Sequence, residues 1–101
     1  MKKQEIKSSL IPILRKYNIK KAALFGSFVR SEETENSDLD ILVEFEKGRS
    51  LFDLVRLKRD LEEITMIKTD VITYKSLHPL LKQNILAEQE VFYEEGTEKV
   101  S

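Results

Sequence analysis

Asp38 and Asp40 stand two residues apart at the head of an alternating apolar run. On a strand, residues i and i+2 point to the same face, so these carboxylates lie side by side. Adjacent anions repel one another and gain nothing from the pairing without a cation. Hard oxygen donors of this kind suit Mg²⁺, which is held by one or two carboxylates together with substrate phosphates. Upstream, Gly26 and Ser27 break another apolar run. Glycine lets backbone approach a ligand closely, and N–H groups at a helix start hold phosphate oxygens. The Ser27 hydroxyl offers one more hydrogen bond. Downstream, Asp70 opens a β-branched stretch. A third carboxylate beside the pair would complete a two-metal site and polarise an acceptor hydroxyl.

Each feature also has a plainer reading. Gly26-Ser27 is compatible with an ordinary strand-ending turn. Ser37-Asp38 is compatible with a turn that leaves Asp40 solvated, and Asp70 with a solvated strand start. Arrangement decides between these readings, so the elements that carry the residues come next.

Ile6, Leu10, Ile13, Leu14 and Tyr17 recur at helical spacing over 4–17. Pro12 predicts a kink or a second start inside that helix, and Asn18 its end. A short buried strand follows over 22–25. Residues 28–37 read as a turn or short helix and then a loop. Residues 39–45 alternate and form the clearest strand. After a turn at 47–49, Ser50 opens a helix with Asp53 placed as in a capping box. Leu51, Leu54, Val55, Leu61 and Ile64 are its expected buried stripe. A third strand spans 70–73. Ser76 is expected to begin the last helix, with Leu77, Leu80, Leu81 and Ile85 inward and Pro79 in its first turn. Residues 91–93 suggest a final strand, and 95–101 a frayed tail. The expected fold is α/β (α+β): a small mixed β-sheet with helices packed on it, as a single domain over 1–101.

Composition narrows the function. Seventeen basic residues balance 18 acidic ones, for a net charge of -1. That balance gives no electrostatic case for an extensive nucleic-acid surface or for membrane binding. There is no cysteine, which excludes disulfides, thiolate metal sites and a cysteine nucleophile. His78 is the single histidine and reads as a surface or capping residue, so a zinc site finds no support. No Walker-type phosphate loop is present. No signal peptide or transmembrane run is visible, and the expected compartment is cytoplasmic. Tyr74 and Lys75 are expected to edge a nucleotide pocket, since they follow the Asp70 strand.

Residues 26–45, GSFVRSEETENSDLDILVEF, resemble the nucleotidyltransferase signature of the DNA polymerase β superfamily: Gly-Ser, a spacer, then Asp-x-Asp on a strand. SLFDLVRLKRDLEE and TDVITYKSLHPLL are similar to its minimal nucleotidyltransferase (MNT) branch. The resemblance implies a polymerase β-like fold in which Gly26 and Ser27 hold the triphosphate tail of the nucleotide. Asp38, Asp40 and Asp70 would be the catalytic and metal-binding carboxylates, with Mg²⁺ as cofactor and ATP as substrate. Arg30 and Glu32 match an Arg-Gly-Glu that often follows Gly-Ser in this branch, with Arg30 either on a phosphate or paired with a carboxylate. Ser31 departs from that pattern.

The branch also implies a partner, a small helical HEPN toxin. The chain would then be its antitoxin, moving AMP onto a tyrosine of the toxin. A small chain whose site uses nearly all of it has little left to bind an acceptor, so that surface is expected from a partner, a second copy or the acceptor itself. Two alternatives stay open. One is an antitoxin that neutralises by binding alone, and the other is a nucleotidyltransferase subunit acting on a small molecule or an RNA end. Homo-oligomer formation is also left open.

Overall fold

The computed structural model describes residues 2–34, 36–46, 48 and 50–96. Four strands form one sheet in the order β3-β2-β1-β4. They are β1 (Ile19–Phe25), β2 (Leu39–Phe45), β3 (Thr69–Thr73) and β4 (Glu90–Glu94). β1 runs antiparallel to β2 and β4, whereas β2 and β3 are parallel. A parallel pair needs a crossover, and helix α3 (Leu51–Thr65) supplies it. The sheet is mixed, as expected.

Alternation along the strands sorts the side chains into two faces. Ala22, Leu24, Leu39, Ile41, Val43, Val71 and Phe92 face the main core. Helix α1 (Lys3–Lys16) covers it with Ile6, Leu10 and Leu14, and α3 with Leu57 and Leu61. The other face presents Ala23, Leu42, Ile72 and Val91 to a smaller cluster with Leu77, Ile85 and Leu86. Among the described residues, helix α4 (Pro79–Glu88) covers it, together with Tyr74 and Leu77 just ahead of that helix.

Ties outside the core hold the layers together. The Tyr17 hydroxyl donates to Asp60 Oδ2 at 2.6 Å, joining α1 to α3. Lys7, buried on α1, pairs with Glu90 on β4. Among the described residues no helix is long and apolar enough to cross a membrane.

Three expectations change. α1 runs unbroken through Pro12. Pro12 and Ser8 both lie on the exposed side of the helix, where a carbonyl that lacks its N–H partner can turn to water. On α3 the buried residues are Leu57, Leu61 and Thr65, with Leu54 half-buried beside them, so Leu54 and Leu61 of the expected stripe face the core and the other three do not. Leu51, Val55 and Ile64 are 73%, 51% and 49% exposed. Thr65 tolerates burial because its hydroxyl donates to the Leu61 carbonyl at 2.8 Å. Finally, Ser76 closes a 3₁₀ turn (Tyr74–Ser76) and α4 starts at Pro79. His78 is its N-cap, and its Nδ1 accepts from the Leu80 N–H at 3.1 Å. This moves Leu80 and Leu81 outward, to 82% and 55% exposure, while Leu77 is buried ahead of the helix. The turn at 47–49 and the expected tail lie partly outside the described residues.

The revised stripe is testable by urea unfolding. Leu57→Ala should cost about 3 kcal/mol, because it opens a cavity in the main core. Val55→Ala should stay within about 0.5 kcal/mol of wild type.

Candidate active site

Strand register assembles the site. Asp40 and Asp70 are direct partners on the parallel strands β2 and β3, and Phe25 is the partner of Asp40 on β1. Leu39 and Val71 face the main core, so Asp40 and Asp70 project to the opposite, thinly covered face. Asp38 immediately precedes β2. The start of β3 is pinned twice. The Leu39 N–H donates to the Lys68 carbonyl at 2.8 Å, and the Thr69 N–H to Glu62 Oε2 at 2.8 Å. Glu62 thereby lets α3 fix the height of Asp70 relative to Asp40.

The carboxylates feel one another. Asp40 is pushed up from 3.8 to about 6, first by burial, then by the charges of Asp70 and Asp38. Arg30 pulls the other way, and Glu88 adds a further push upward. The folded value lies above the ordinary one. Protonated Asp40 therefore stabilises the fold below about pH 4, and that stabilisation is lost as pH rises through about 6. At neutral pH the ionised cluster works against the fold unless a cation neutralises it.

Gly26 lies directly on this cluster. Its φ of +77° favours glycine, and a Cβ there would overlap the Asp40 carboxylate. Gly26 is thus demanded twice, by its backbone conformation and by the carboxylate beside it. Helix α2 (Ser27–Arg30) follows at once and carries Ser27 and Arg30. Arg30 Nε donates to Glu32 at 2.5 Å, and Nη1 to Glu88 at 2.7 Å. The two carboxylates raise the arginine pKa, Glu32 more than Glu88. Ser31 closes α2 with φ +58°, a left-handed conformation that glycine adopts without cost. The resemblance places a glycine at this position, and the backbone here gives the reason.

The structure therefore gathers Gly26, Ser27, Arg30, Asp40 and Asp70 at one end of the sheet, with Asp38 at the entrance to β2. Tyr74 and Lys75 are elsewhere. They line a cavity of about 570 Å³ with Val43, Glu44, Phe45 and Thr73, at the other ends of β2 and β3. The Tyr74 hydroxyl is spent on Gln89 Oε1 at 2.6 Å. Their expected place at the nucleotide pocket is not supported.

Glu88 was not foreseen. It enters because Leu24 on β1 pairs with Glu90 on β4. Two residues forward along β1 and two back along the antiparallel chain bring Gly26 and Glu88 together. The Gly26 N–H donates to Glu88 Oε1 at 2.7 Å.

Among the described residues, no three Asp, Glu, His or Cys side chains form a ready-made metal cage. Mg²⁺ does not require one, because it keeps waters and takes substrate phosphates beside one or two carboxylates. Asp40, made costly to ionise by Asp38 and Asp70, has the chemistry of half such a shell.

Comparison with known proteins places this geometry. A family model described as polymerase beta, nucleotidyltransferase, matches residues 8–98. The chain belongs to that family. The nucleotidyltransferase is 58% identical over 84 residues to a candidate protein adenylyltransferase of Methanocaldococcus jannaschii, covering 83% of this chain and 90% of the relative. Among solved structures it is similar to a candidate minimal nucleotidyltransferase, with a TM-score of 0.75 and 34% identity over 83% of this chain and 86% of that one. A structure of a tri-AMPylated Shewanella oneidensis HEPN toxin in complex with its MNT antitoxin matches at TM-score 0.71. That match has 19% identity, covers 90% of this chain and 71% of the other, and shows the fold alone.

Two substitutions test the local physics by thermal or urea unfolding. Without divalent cations, Asp40→Asn should raise stability at pH 7 by about 1 kcal/mol after allowance for solvent screening, and the gain should vanish near about pH 4. Ser31→Gly should add about 1 kcal/mol at either pH by removing the left-handed penalty.

Proposed function

We propose that the nucleotidyltransferase moves AMP from ATP onto a tyrosine hydroxyl of a HEPN-type toxin, and thereby acts as its antitoxin. The observation that carries the nucleotidyl-transfer part is the direct register of Asp40 and Asp70 beside Gly26. That register sets a repelling carboxylate pair directly against the Gly26 turn, where only glycine leaves room for the Asp40 carboxylate. The protein acceptor is supported by the name of the Methanocaldococcus jannaschii relative. The toxin is supported by the Shewanella oneidensis complex, in which a HEPN protein is AMPylated.

In this reading Asp38, Asp40 and Asp70 hold Mg²⁺. Held by these carboxylates, Mg²⁺ would supply neutralisation of charge on the attacking and leaving oxygens. Gly26 and Ser27 receive the triphosphate tail, and Arg30 contacts a phosphate oxygen. The acceptor oxygen attacks the α-phosphorus in line. A new phosphoester bond forms as the α–β bridge breaks, pyrophosphate leaves, and the carboxylate of Asp70 takes the hydroxyl proton. Positioning and electrostatics supply most of the acceleration, as in other phosphoryl transfers.

The test is intact mass of the candidate helical partner after incubation with this protein, ATP and Mg²⁺. An AMP-sized gain is expected. Asp38→Ala combined with Asp40→Ala should lower its rate by at least about a hundredfold. A partner that is neutralised in a stable complex without gaining mass would instead assign the neutralisation to contact alone.

A further inference from the structure

Glu88 ends α4, and the reaction as described gives it no task. One oxygen, Oε1, accepts from both the Gly26 N–H and Arg30 Nη1, each at 2.7 Å. Glu32 holds Arg30 Nε from the other side. These bonds grip two of the three guanidinium nitrogens and leave the Nη2 edge for an incoming anion. Without them Arg30 would be a half-exposed side chain on a four-residue helix, free to sample many rotamers. Gly26 has the opposite problem. Its backbone is the least restricted in the turn, and its own amide is what Glu88 ties down.

The proposed reading aims Arg30 and the turn that Gly26 opens at the triphosphate; the Gly26 N–H itself is spent on Glu88 and serves to fix that turn. Glu88 also belongs to a different element from either of them. Gln89 is α4's C-cap and accepts the Tyr74 hydroxyl, and Glu90 is clamped by Lys3 and Lys7. Glu88 is thus the first of three consecutive residues whose side chains anchor the α4–β4 junction to other parts of the fold. A carboxylate rooted there is a fixed reference for a short, otherwise loosely held phosphate turn.

We propose that Glu88 is a positioning residue for the nucleotide's phosphates, acting through Arg30 and the Gly26 amide. It contributes no bond to the nucleotide itself. Its effect is to set the Arg30 guanidinium, with Nη2 open, and the backbone of the turn that Gly26 opens before binding, so that less conformational freedom is lost when phosphate arrives. The inference rests on the reading that Gly26, Ser27 and Arg30 receive the triphosphate.

The experiment is an equilibrium titration of wild type, Glu88→Ala and Glu88→Gln with two probes, ATP and inorganic tripolyphosphate, each with Mg²⁺. Thermal unfolding of each variant is measured alongside. Wild type should bind both probes. Glu88→Ala should weaken both by the same factor, about tenfold, because the affected contacts are to phosphate and not to the base. Glu88→Gln should recover most of the loss, since an amide oxygen still accepts from both donors. Glu88→Asp, which keeps the charge but loses reach, should weaken both probes and answers the question if the alanine variant does not fold.

Unchanged affinity in Glu88→Ala or Glu88→Asp, with only a lower unfolding temperature, would reduce Glu88 to a structural tie and leave the nucleotide reading standing. Weakening of ATP but not of tripolyphosphate would overturn the proposal by placing its action at the base. A wild type that binds neither probe would overturn the nucleotide reading and this role with it.

Discussion

Asp40 and Asp70 face one another across adjacent parallel strands, with Asp38 close by and Asp40 half-buried. Burial first, and then the charges of Asp70 and Asp38, make Asp40 costly to ionise. The rest of the site follows from that repulsion. The cluster is unfavourable for an isolated fold at neutral pH and favourable for binding a divalent cation with its phosphates. In the proposed reading, a divalent cation with its phosphates would relieve that cost in stability.

The remainder of the fold offsets this cost on the far side of the sheet. α1 and α3 seal one face with fully buried Ile6, Leu10, Leu14, Leu57 and Leu61. Each such side chain contributes roughly 1.5–3 kcal/mol by leaving water. The other face is covered by the smaller cluster of Leu77, Tyr74 and α4, and Asp40 and Asp70 stay only partly buried on it. Stability and chemistry are thus divided between the two faces of one sheet. The boundary between them is drawn by residues in strained or tied conformations: Gly26 and Ser31 at either end of a single helical turn, and Arg30 held between Glu32 and Glu88. Family membership and this division agree, since the residues that match the polymerase β signature all lie on the thinly covered side.

Local signals carried much of this account. The Asp-x-Asp alternation, the apolar partners Leu39, Ile41 and Val43, and the Gly26 break were all legible because strand periodicity and glycine's freedom act within a few residues. The bounds of β2 and the capping box at Ser50 were read correctly for the same reason. The α3 stripe was read only in part. Its sequence is apolar on too many positions for spacing alone to choose between Val55 and Leu57. The choice was made by where α1 and the sheet lie, which is tertiary information. α4 was misjudged for a related reason: four apolar residues resemble a buried face, yet only the end near Ile85 and Leu86 reaches the sheet. Glu88 was invisible because the β1–β4 register joins segments far apart in the chain. The pairing of Asp40 with Asp70 could be guessed only from the family resemblance, and it took the parallel register to make it a geometric statement.

The most direct measurement is a carboxyl ¹³C NMR titration of the aspartates, followed with and without Mg²⁺ and a non-hydrolysable ATP analogue. Asp40 should titrate near about pH 6 in the free protein. With Mg²⁺ and nucleotide its midpoint should fall well below that value. An Asp40 that titrates like a solvated aspartate, and takes no notice of Mg²⁺ and nucleotide, would contradict the claim that these carboxylates form a site built around a cation.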